Sequence, residues 1–299
     1  MDRYLLRYFL AVVDQGNFSK AAMVCNVSQP TLSVGIAKLE AMLKKPLFLR
    51  TNRRVELTEA GAILASHARR IEAEFGEAER RVRSTSATRT IRLGLLATMP
   101  SLWIEHYLHR LLAAETDDRV EIVEGRERDI IERLARGRID LAFTIVRPGN
   151  DRFEREPLFR EGYALAMASG HRLAGRDIVE ADELVNDPMI VRRQCELLPE
   201  TSRYFTARGV RPFFPARTAN EDRALAYVRS GLGVTIMPDC YTGAGIARAP
   251  LAGFDFVREI GFLYAAHSDP AELRLRPAMR LLVETVETIR AGETAGWVP

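Results

Sequence analysis

Residues 28–43, SQPTLSVGIAKLEAML, restrict the fold more than any other stretch. The segment opens with polar groups and a proline placed for the first turn of a helix, where a missing N–H costs little. Leu32, Ile36, Leu39 and Leu43 then recur at helical spacing, so one stripe must pack on other elements. Upstream, Leu5, Phe9 and Val12 share a face of a helix over residues 4–15, and Gly16 ends it. Ser19 is read as the N-cap of a short helix, KAAMVCN, and Asn26-Val27-Ser28 as a tight turn with Val27 buried. A short helix, a tight turn and a longer helix make a helix-turn-helix, whose second helix enters the DNA major groove by its N-terminal turn. That answers why the helix starts polar. Gln29 can pair with an adenine edge, Thr31 can touch a thymine methyl, Ser33 adds a hydroxyl, and the first-turn amides favour phosphate.

The next segment, KKPLFLRTNRRVELTEAG, reads as strand, turn and strand over 47–49, 51–54 and 55–57. Arg53 and Arg54 sit at the hairpin tip with Arg50 beside them, a basic wing for the phosphate backbone or the minor groove. Charge agrees. Residues 1–58 hold nine Lys/Arg against four acids, so a basic head of +5 sits on a body of −2 within a chain of net charge +3. Such an asymmetry points to a polyanion partner for the head.

Thr58 opens a long helix in which Leu57, Leu64, Ile71 and Ala78 recur every seven residues, as do Gly61, Ala68, Phe75 and Val82. This pattern predicts a dimer seam, followed by a hinge at Ser84–Arg89. From Thr90 onward strand candidates (91–96, 120–125, 140–146, 163–168, 189–191, 234–238, 260–265) alternate with helices (101–114, 128–136, 198–207, 221–230), which predicts a parallel sheet covered on both faces. Ligands in such sheets bind at the carboxyl ends of strands, here between lobes.

No P-loop, HExxH, GxSxG or GxGxxG motif and no paired-carboxylate motif is present, so an enzyme, a resident cofactor and a metal site are not expected. Three scattered cysteines (Cys25, Cys195, Cys240) form neither a zinc motif nor a disulfide framework, and fit a reducing, cytoplasmic setting. Arg3, Arg7 and Asp14 interrupt the N-terminal apolar residues, so no signal peptide is expected, and no apolar run is long enough for a membrane span.

The stretch YFLAVVDQGNFSKAAMVCNVSQPTLSVGIAKLEAMLKKPLFLRTNRRVELTEAG resembles the LysR-type transcriptional regulators, in which Ser-Gln-Pro opens the recognition helix and Leu-Phe-x-Arg leads into the wing. The segments EGRERDIIERLARGRIDLAF, GHRLAGRDIVEADEL and YVRSGLGVTIMPD resemble that family's effector domain. The expected fold is therefore α/β with an N-terminal all-α winged helix-turn-helix and a two-lobed, periplasmic-binding-protein-like effector domain. Its divisions are 1–57 for the DNA-binding head, 58–89 for the linker helix and hinge, and 90–299 for the effector domain. Within the last, lobe I takes about 90–162 plus 266–299 and lobe II about 163–265.

The resemblance implies partners: double-stranded DNA, a small-molecule effector, a second copy or a tetramer, and RNA polymerase as a further contact. The DNA-binding set is Ser28, Gln29, Pro30, Thr31, Ser33, Lys38, Arg50, Arg53 and Arg54. The implied effector set is Leu96, Ala97, Thr98, Met99, Arg126, Arg147, Arg192 and Asn220, with Thr98 also capping the following helix. Helix N-termini and guanidinium groups favour a small anionic metabolite. Two departures stand out. Val34 occupies a position where many members carry arginine, and Arg126-Glu127 one where Ser or Thr is common in binders of small acids. Cys195 sits where peroxide-sensing members carry their reactive cysteine; two preceding arginines could favour its thiolate, but Tyr204 occupies the region of a resolving partner, and an ordinary buried thiol is the expectation. A redox-sensing regulator is thus the first alternative, and a solute-binding protein or enzyme with an accessory head the second.

Overall fold

In the computed structural model the described residues are 1–50, 55–83, 90–149 and 152–292. Arg53, Arg54 and the expected hinge 84–89 lie outside them, as does the side chain of Arg50. The chain divides into two compact units, described in turn.

The N-terminal unit begins with α1 (Arg3–Gln15), which buries Leu5, Phe9 and Val12 and ends at Gly16, whose left-handed φ of 59° suits glycine. Helix α2 (Phe18–Val24) is capped by Asn17, whose side chain accepts from the Lys20 amide, and not by Ser19 as expected. Asn takes the cap because its carbonyl reaches the third amide of the helix. Helix α3 (Gln29–Leu43) buries Leu32, Ile36 and Leu39 completely. Leu43, assigned to the same stripe, is exposed, because the helix ends there and Lys44 turns into the left-handed region. Strands β1 (Phe48–Arg50) and β2 (Val55–Leu57) form an antiparallel hairpin. The Glu40 carboxylate accepts from the Leu47 amide at 2.7 Å and ties α3 to β1.

Helix α4 (Glu59–Arg83) is capped by Thr58, whose hydroxyl accepts from the Gly61 amide. Gly61 is required there: a Cβ would lie 2.2 Å from the Leu47 carbonyl oxygen. Ala65 and Ala68 are buried in the same core as α1, with Leu57, Leu64 and Ile71 packed against it. The first half of the expected dimer seam therefore packs within its own unit. Farther along, Phe75 is exposed on one side, with the Arg3 guanidinium 4.7 Å from its ring centre.

Past α4 the chain forms β3 (Thr90–Leu96), α5 (Ser101–Ala113), β4 (Arg119–Gly125), α6 (Glu127–Ala135), β5 (Leu141–Ile145), β6 (Glu154–Ala168), β7 (Ile190–Arg192), α7 (Leu198–Ala207), β8 (Ala216–Thr218), α8 (Glu221–Arg229), β9 (Thr235–Pro238), β10 (Ile246–Ala249), β11 (Val257–Tyr264), α9 (Pro270–Leu275) and α10 (Pro277–Arg290), which make up the second unit except for residues 133–135 at the end of α6. Strand β3 pairs parallel with β4 and β5, and β7 with β8, but β11 is antiparallel to both β5 and β6, and β6 to β9 and β10. The sheet is mixed, not parallel as expected. The reason is β6, which runs through both lobes. Its charged first half pairs with β11, and its apolar second half pairs with β9 and β10. Only the apolar half was legible as a strand.

One core joins β3, β5, β11, α5 and α10 through Leu93, Trp103, Phe143, Phe262 and Leu282. A second gathers Leu165, Leu184, Tyr204, Phe205 and Ile236. Strand β11, given to lobe II from the sequence, places Ile260, Phe262 and Tyr264 in the first core. No described helix is long and apolar enough to cross a membrane.

Candidate DNA-reading face and candidate sensor site

At the start of α3 the Ser28 hydroxyl accepts from the Thr31 amide at 3.2 Å and lies 2.7 Å from the Thr31 hydroxyl. Gln29 Nε2 donates weakly to Ser33 Oγ at 3.4 Å. Ser28, Gln29, Pro30 and Thr31 are all exposed, so this turn offers hydroxyl and amide groups to solvent with only local bonds to break. Val34 adds an apolar group, 69% exposed, to the outer side of the helix. Lys38 lies farther along, donating to the Tyr4 hydroxyl at 3.2 Å. The fold thus gathers Ser28, Gln29, Thr31 and Ser33 on one turn and sets Lys38 apart, beside α1.

The sensor candidates begin at the carboxyl end of β3. Leu96 and Met99 are buried in the first core, and the Ala97 amide donates to the Gly125 carbonyl at 2.8 Å. Thr98 is 1% exposed. Pro100, not Thr98, is the N-cap of α5, since the chain needs two more residues to turn into the helix. The Thr98 hydroxyl instead donates to Glu196 Oε2 at 3.0 Å and accepts from Arg258 Nη1 at 3.1 Å.

Arg258 is the centre of a buried network. Its Nε and Nη2 reach Glu161 Oε1 at 2.8 and 2.7 Å, and its Nη1 reaches Glu196 Oε1 at 2.6 Å. Tyr163 donates its hydroxyl to the same Glu196 oxygen at 2.6 Å. Thr98 stands after β3, Glu161 and Tyr163 on β6 where its partner strand changes, Glu196 before α7, and Arg258 on β11. The network therefore joins the two lobes. Burial penalises the Glu196 charge, but Arg258 and the Tyr163 hydroxyl outweigh it and hold the carboxyl below its usual range. Burial also acts against the Arg258 charge, and its two carboxylates drive it well above the ordinary value.

A second buried pair lies close by. Arg192 Nε donates to Glu221 Oε2, and its Nη1 donates to the Ile236 carbonyl at 2.7 Å and to Cys195 Sγ at 3.5 Å. Burial pushes the Cys195 thiol up, and Arg192 only partly opposes it. The lowering that two arginines could give does not occur: Arg193 is exposed, and desolvation dominates, as in an ordinary buried thiol. Tyr204 is buried and donates to the Ala252 carbonyl at 2.6 Å.

Of the remaining sensor candidates, Arg147 is exposed and holds Glu127 through two bonds of 2.6 and 2.7 Å, which raise its pKa above the ordinary value. Arg126 is exposed. Asn220 is exposed and caps α8 through the Arg223 amide. Thr98 thus bonds Glu196 and Arg192 acts on it through its charge, while Arg147 is paired with Glu127 and Arg126 and Asn220 stand at helix starts. Sequence reasoning missed Arg258, Glu196, Glu161 and Tyr163. One signal was present: Arg258, Ile260, Phe262 and Tyr264 alternate on one face of β11, and only Arg258 is charged. Among the described residues no cluster of His, Cys, Asp or Glu is fit for a metal ion.

The comparisons agree with this architecture. The family model described as "Bacterial regulatory helix-turn-helix protein, lysR family" matches residues 4–62, and "LysR substrate binding domain" matches residues 84–289. A "Probable hydrogen peroxide-inducible genes activator" of Mycobacterium avium is 31% identical over 276 residues, 88% of each chain. A "Hydrogen peroxide-inducible genes activator" of Haemophilus influenzae is 26% identical over 295 residues, 96% of this chain and 98% of that one. The solved structure of an OxyR mutant from Corynebacterium glutamicum superimposes with a TM-score of 0.55 at 23% identity, covering 100% of this chain and 97% of its own, a likeness of fold. With a DNA-binding model on the head and a substrate-binding model on the body, the chain belongs to the LysR family of bacterial helix-turn-helix regulators.

Proposed function

We propose that this LysR-type regulator reads DNA through the first turn of α3 and senses a small anionic metabolite through its lobe junction. The observation that carries the sensing half is the Glu196 carboxylate, held at once by Thr98, Tyr163 and Arg258. The chain's own carboxylate fills the position in which the sequence placed an anionic effector. An effector must therefore change the Glu196 contacts, by competing for them or by shifting the segment that carries Glu196. A ligand moves the DNA-bound state only if it binds one lobe arrangement better than the other.

On the DNA side, Gln29, Thr31 and Ser33 carry base readout, and Arg50, Arg53 and Arg54 carry phosphate or minor-groove contacts. The divisions 1–57, 58–89 and 90–299, with β11 moved to the first lobe, are the working domains. The exposed outer face of α4 around Phe75 supports assembly as a dimer or tetramer, now resting on fewer heptad positions than the sequence suggested. RNA polymerase is a further proposed contact, and the cytoplasm the proposed compartment.

The test uses mobility shifts on promoter-region DNA over a range of salt. Arg53→Ala should weaken binding to all sequences and lower the salt slope by about one. Glu196→Gln should alter affinity or complex mobility with the head untouched. Identical shifts for wild type and Glu196→Gln would remove the sensing role from the junction.

A second reading, peroxide sensing through Cys195, draws support from the names of the two bacterial relatives. The buried thiol, shifted away from the thiolate, opposes it. Peroxide that alters the DNA complex of the wild type but not of Cys195→Ser would establish the redox reading over the ligand reading.

A further inference from the structure

We infer that Val34 is a specificity-determining residue of the DNA-reading face, and that it selects thymine through the C5-methyl group of the base. The inference rests on the reading proposed above, in which the first turn of α3 carries base readout, and adds one base contact to it.

The placement follows from the helix. Leu32, Gly35, Ile36 and Leu39 are buried and fix the inner side of α3. Val34 stands on the other side, 69% exposed. It lies four residues after Pro30 and three after Thr31, both exposed, so it continues the outward face of the first turn by one turn of helix. Ala37, three residues farther on, is also exposed, and its single methyl group is too small to hold a base edge away from Val34. A lone exposed valine on an ordinary surface needs no partner. This one belongs to the second helix of a helix-turn-helix, within the 4–62 match, and that helix is the one laid in the major groove.

The surroundings narrow what Val34 can read. The two charged side chains of α3 are Lys38 and Glu40. Lys38 donates to the Tyr4 hydroxyl at 3.2 Å and lies 3.8 Å from the Asp2 carboxylate. Glu40 accepts from the Leu47 and Phe48 amides at 2.7 and 3.4 Å. Both are engaged within the head, and Val34 itself offers a base edge only carbon. In the major groove guanine, adenine and cytosine present hydrogen-bonding groups, whereas thymine adds a methyl group. An alkyl side chain set against N7, O6 or an exocyclic amine shuts out water and returns no hydrogen bond. Set against the thymine methyl, it removes apolar surface from water on both sides. Val34 therefore favours thymine over the other three bases.

The test starts with the full chain selecting a duplex from a random-sequence pool. Each thymine of that duplex is then replaced in turn by deoxyuridine, which lacks only the C5-methyl group. Mobility shifts at one fixed salt concentration should reveal a thymine at which the loss of the methyl weakens wild type on the order of fourfold. Val34→Ala should lose most of that penalty and keep the wild-type melting temperature, since the side chain is outside the core. Cytosine at the same position should bind wild type about tenfold more weakly, and 5-methylcytosine should regain part of the loss. Penalties that are equal in wild type and Val34→Ala at every thymine, or no gain from 5-methylcytosine, would overturn the inference. Gln29→Ala separates the two levels. If it alters base discrimination while no thymine depends on Val34, this inference falls alone. If the pool yields no preferred sequence, or neither variant changes the preference, the reading of DNA by α3 falls with it.

Discussion

The first turn of α3 and the lobe junction, the two proposed sites, both gather polar side chains, yet in opposite settings. On α3 the groups are exposed and bonded only to residues three or four positions away. At the junction they are buried and bonded across 33 to 160 positions of the chain. The first arrangement leaves hydrogen-bonding capacity free for a partner and is set by local spacing. The second leaves little free, so a response proposed for it requires contacts to be exchanged. A reading surface can be lost one residue at a time, whereas a buried network fails as a unit.

Breaking one member of the network should give the largest effect. Arg258→Met removes the cation from between Glu161 and Glu196, leaving two buried carboxylates without it. Losing one partner of a buried ion pair costs about 3–5 kcal/mol, so thermal unfolding of this variant should begin well below that of wild type. An unchanged melting temperature would mean that the junction is looser in solution than its geometry indicates.

On the reading face the effects should be smaller and confined to DNA. Gln29→Ala should reduce discrimination at one base pair by about 1–3 kcal/mol and leave the melting temperature where it was. Measured binding to a set of single-base operator variants decides this, and a uniform loss over all of them would move Gln29 from base readout to a backbone contact. Ser28→Ala removes the cap of α3 and should lower stability by about 1 kcal/mol. A denaturant titration that shows no change would reassign the Ser28 hydroxyl from capping the helix to contacting DNA alone.

The smallest effect expected is a slope with pH. Glu196 is held below the ordinary carboxyl range, so its contribution to stability is present above that range and is lost as pH falls through the lowered value. Burial raises Glu221 despite Arg192, so its contribution has the opposite sign and declines as pH rises. Glu196→Gln should therefore flatten the acid limb of the melting curve below about pH 4. If the acid limb keeps its wild-type slope, Glu196 is not the group that titrates there.

The same contrast explains what the sequence could disclose. Ser28, Pro30 and the Leu32, Ile36, Leu39 stripe define α3 by neighbours along the chain, so its limits and its outward face were legible. Ser19 and Leu43 failed at helix ends, where one competing side chain or one left-handed residue decides the outcome. Thr98 was placed correctly at the end of β3 but given the wrong partner, because Glu196 and Arg258 come to it only through folding. The mixed sheet was missed because the first half of β6, EREPLFREG, is charged and lies at the surface on one side. Its strand identity comes from pairing with β11, which no local pattern reports. Strand β10 went unread for the same reason, whereas α9 and α10 carry local signals that were passed over: a proline in the first turn of each, and Ala278, Met279, Leu282 and Val286 at helical spacing on α10.

The central claim is that the Glu196 contacts at the lobe junction govern how the protein engages DNA. The most direct measurement is a nuclease footprint of full-length wild type and Glu196→Gln on the same promoter region, at concentrations giving equal occupancy. The account predicts the same protected core, read by the unaltered α3, with a changed extent or spacing of protection around it. Footprints that coincide over their whole length would contradict it.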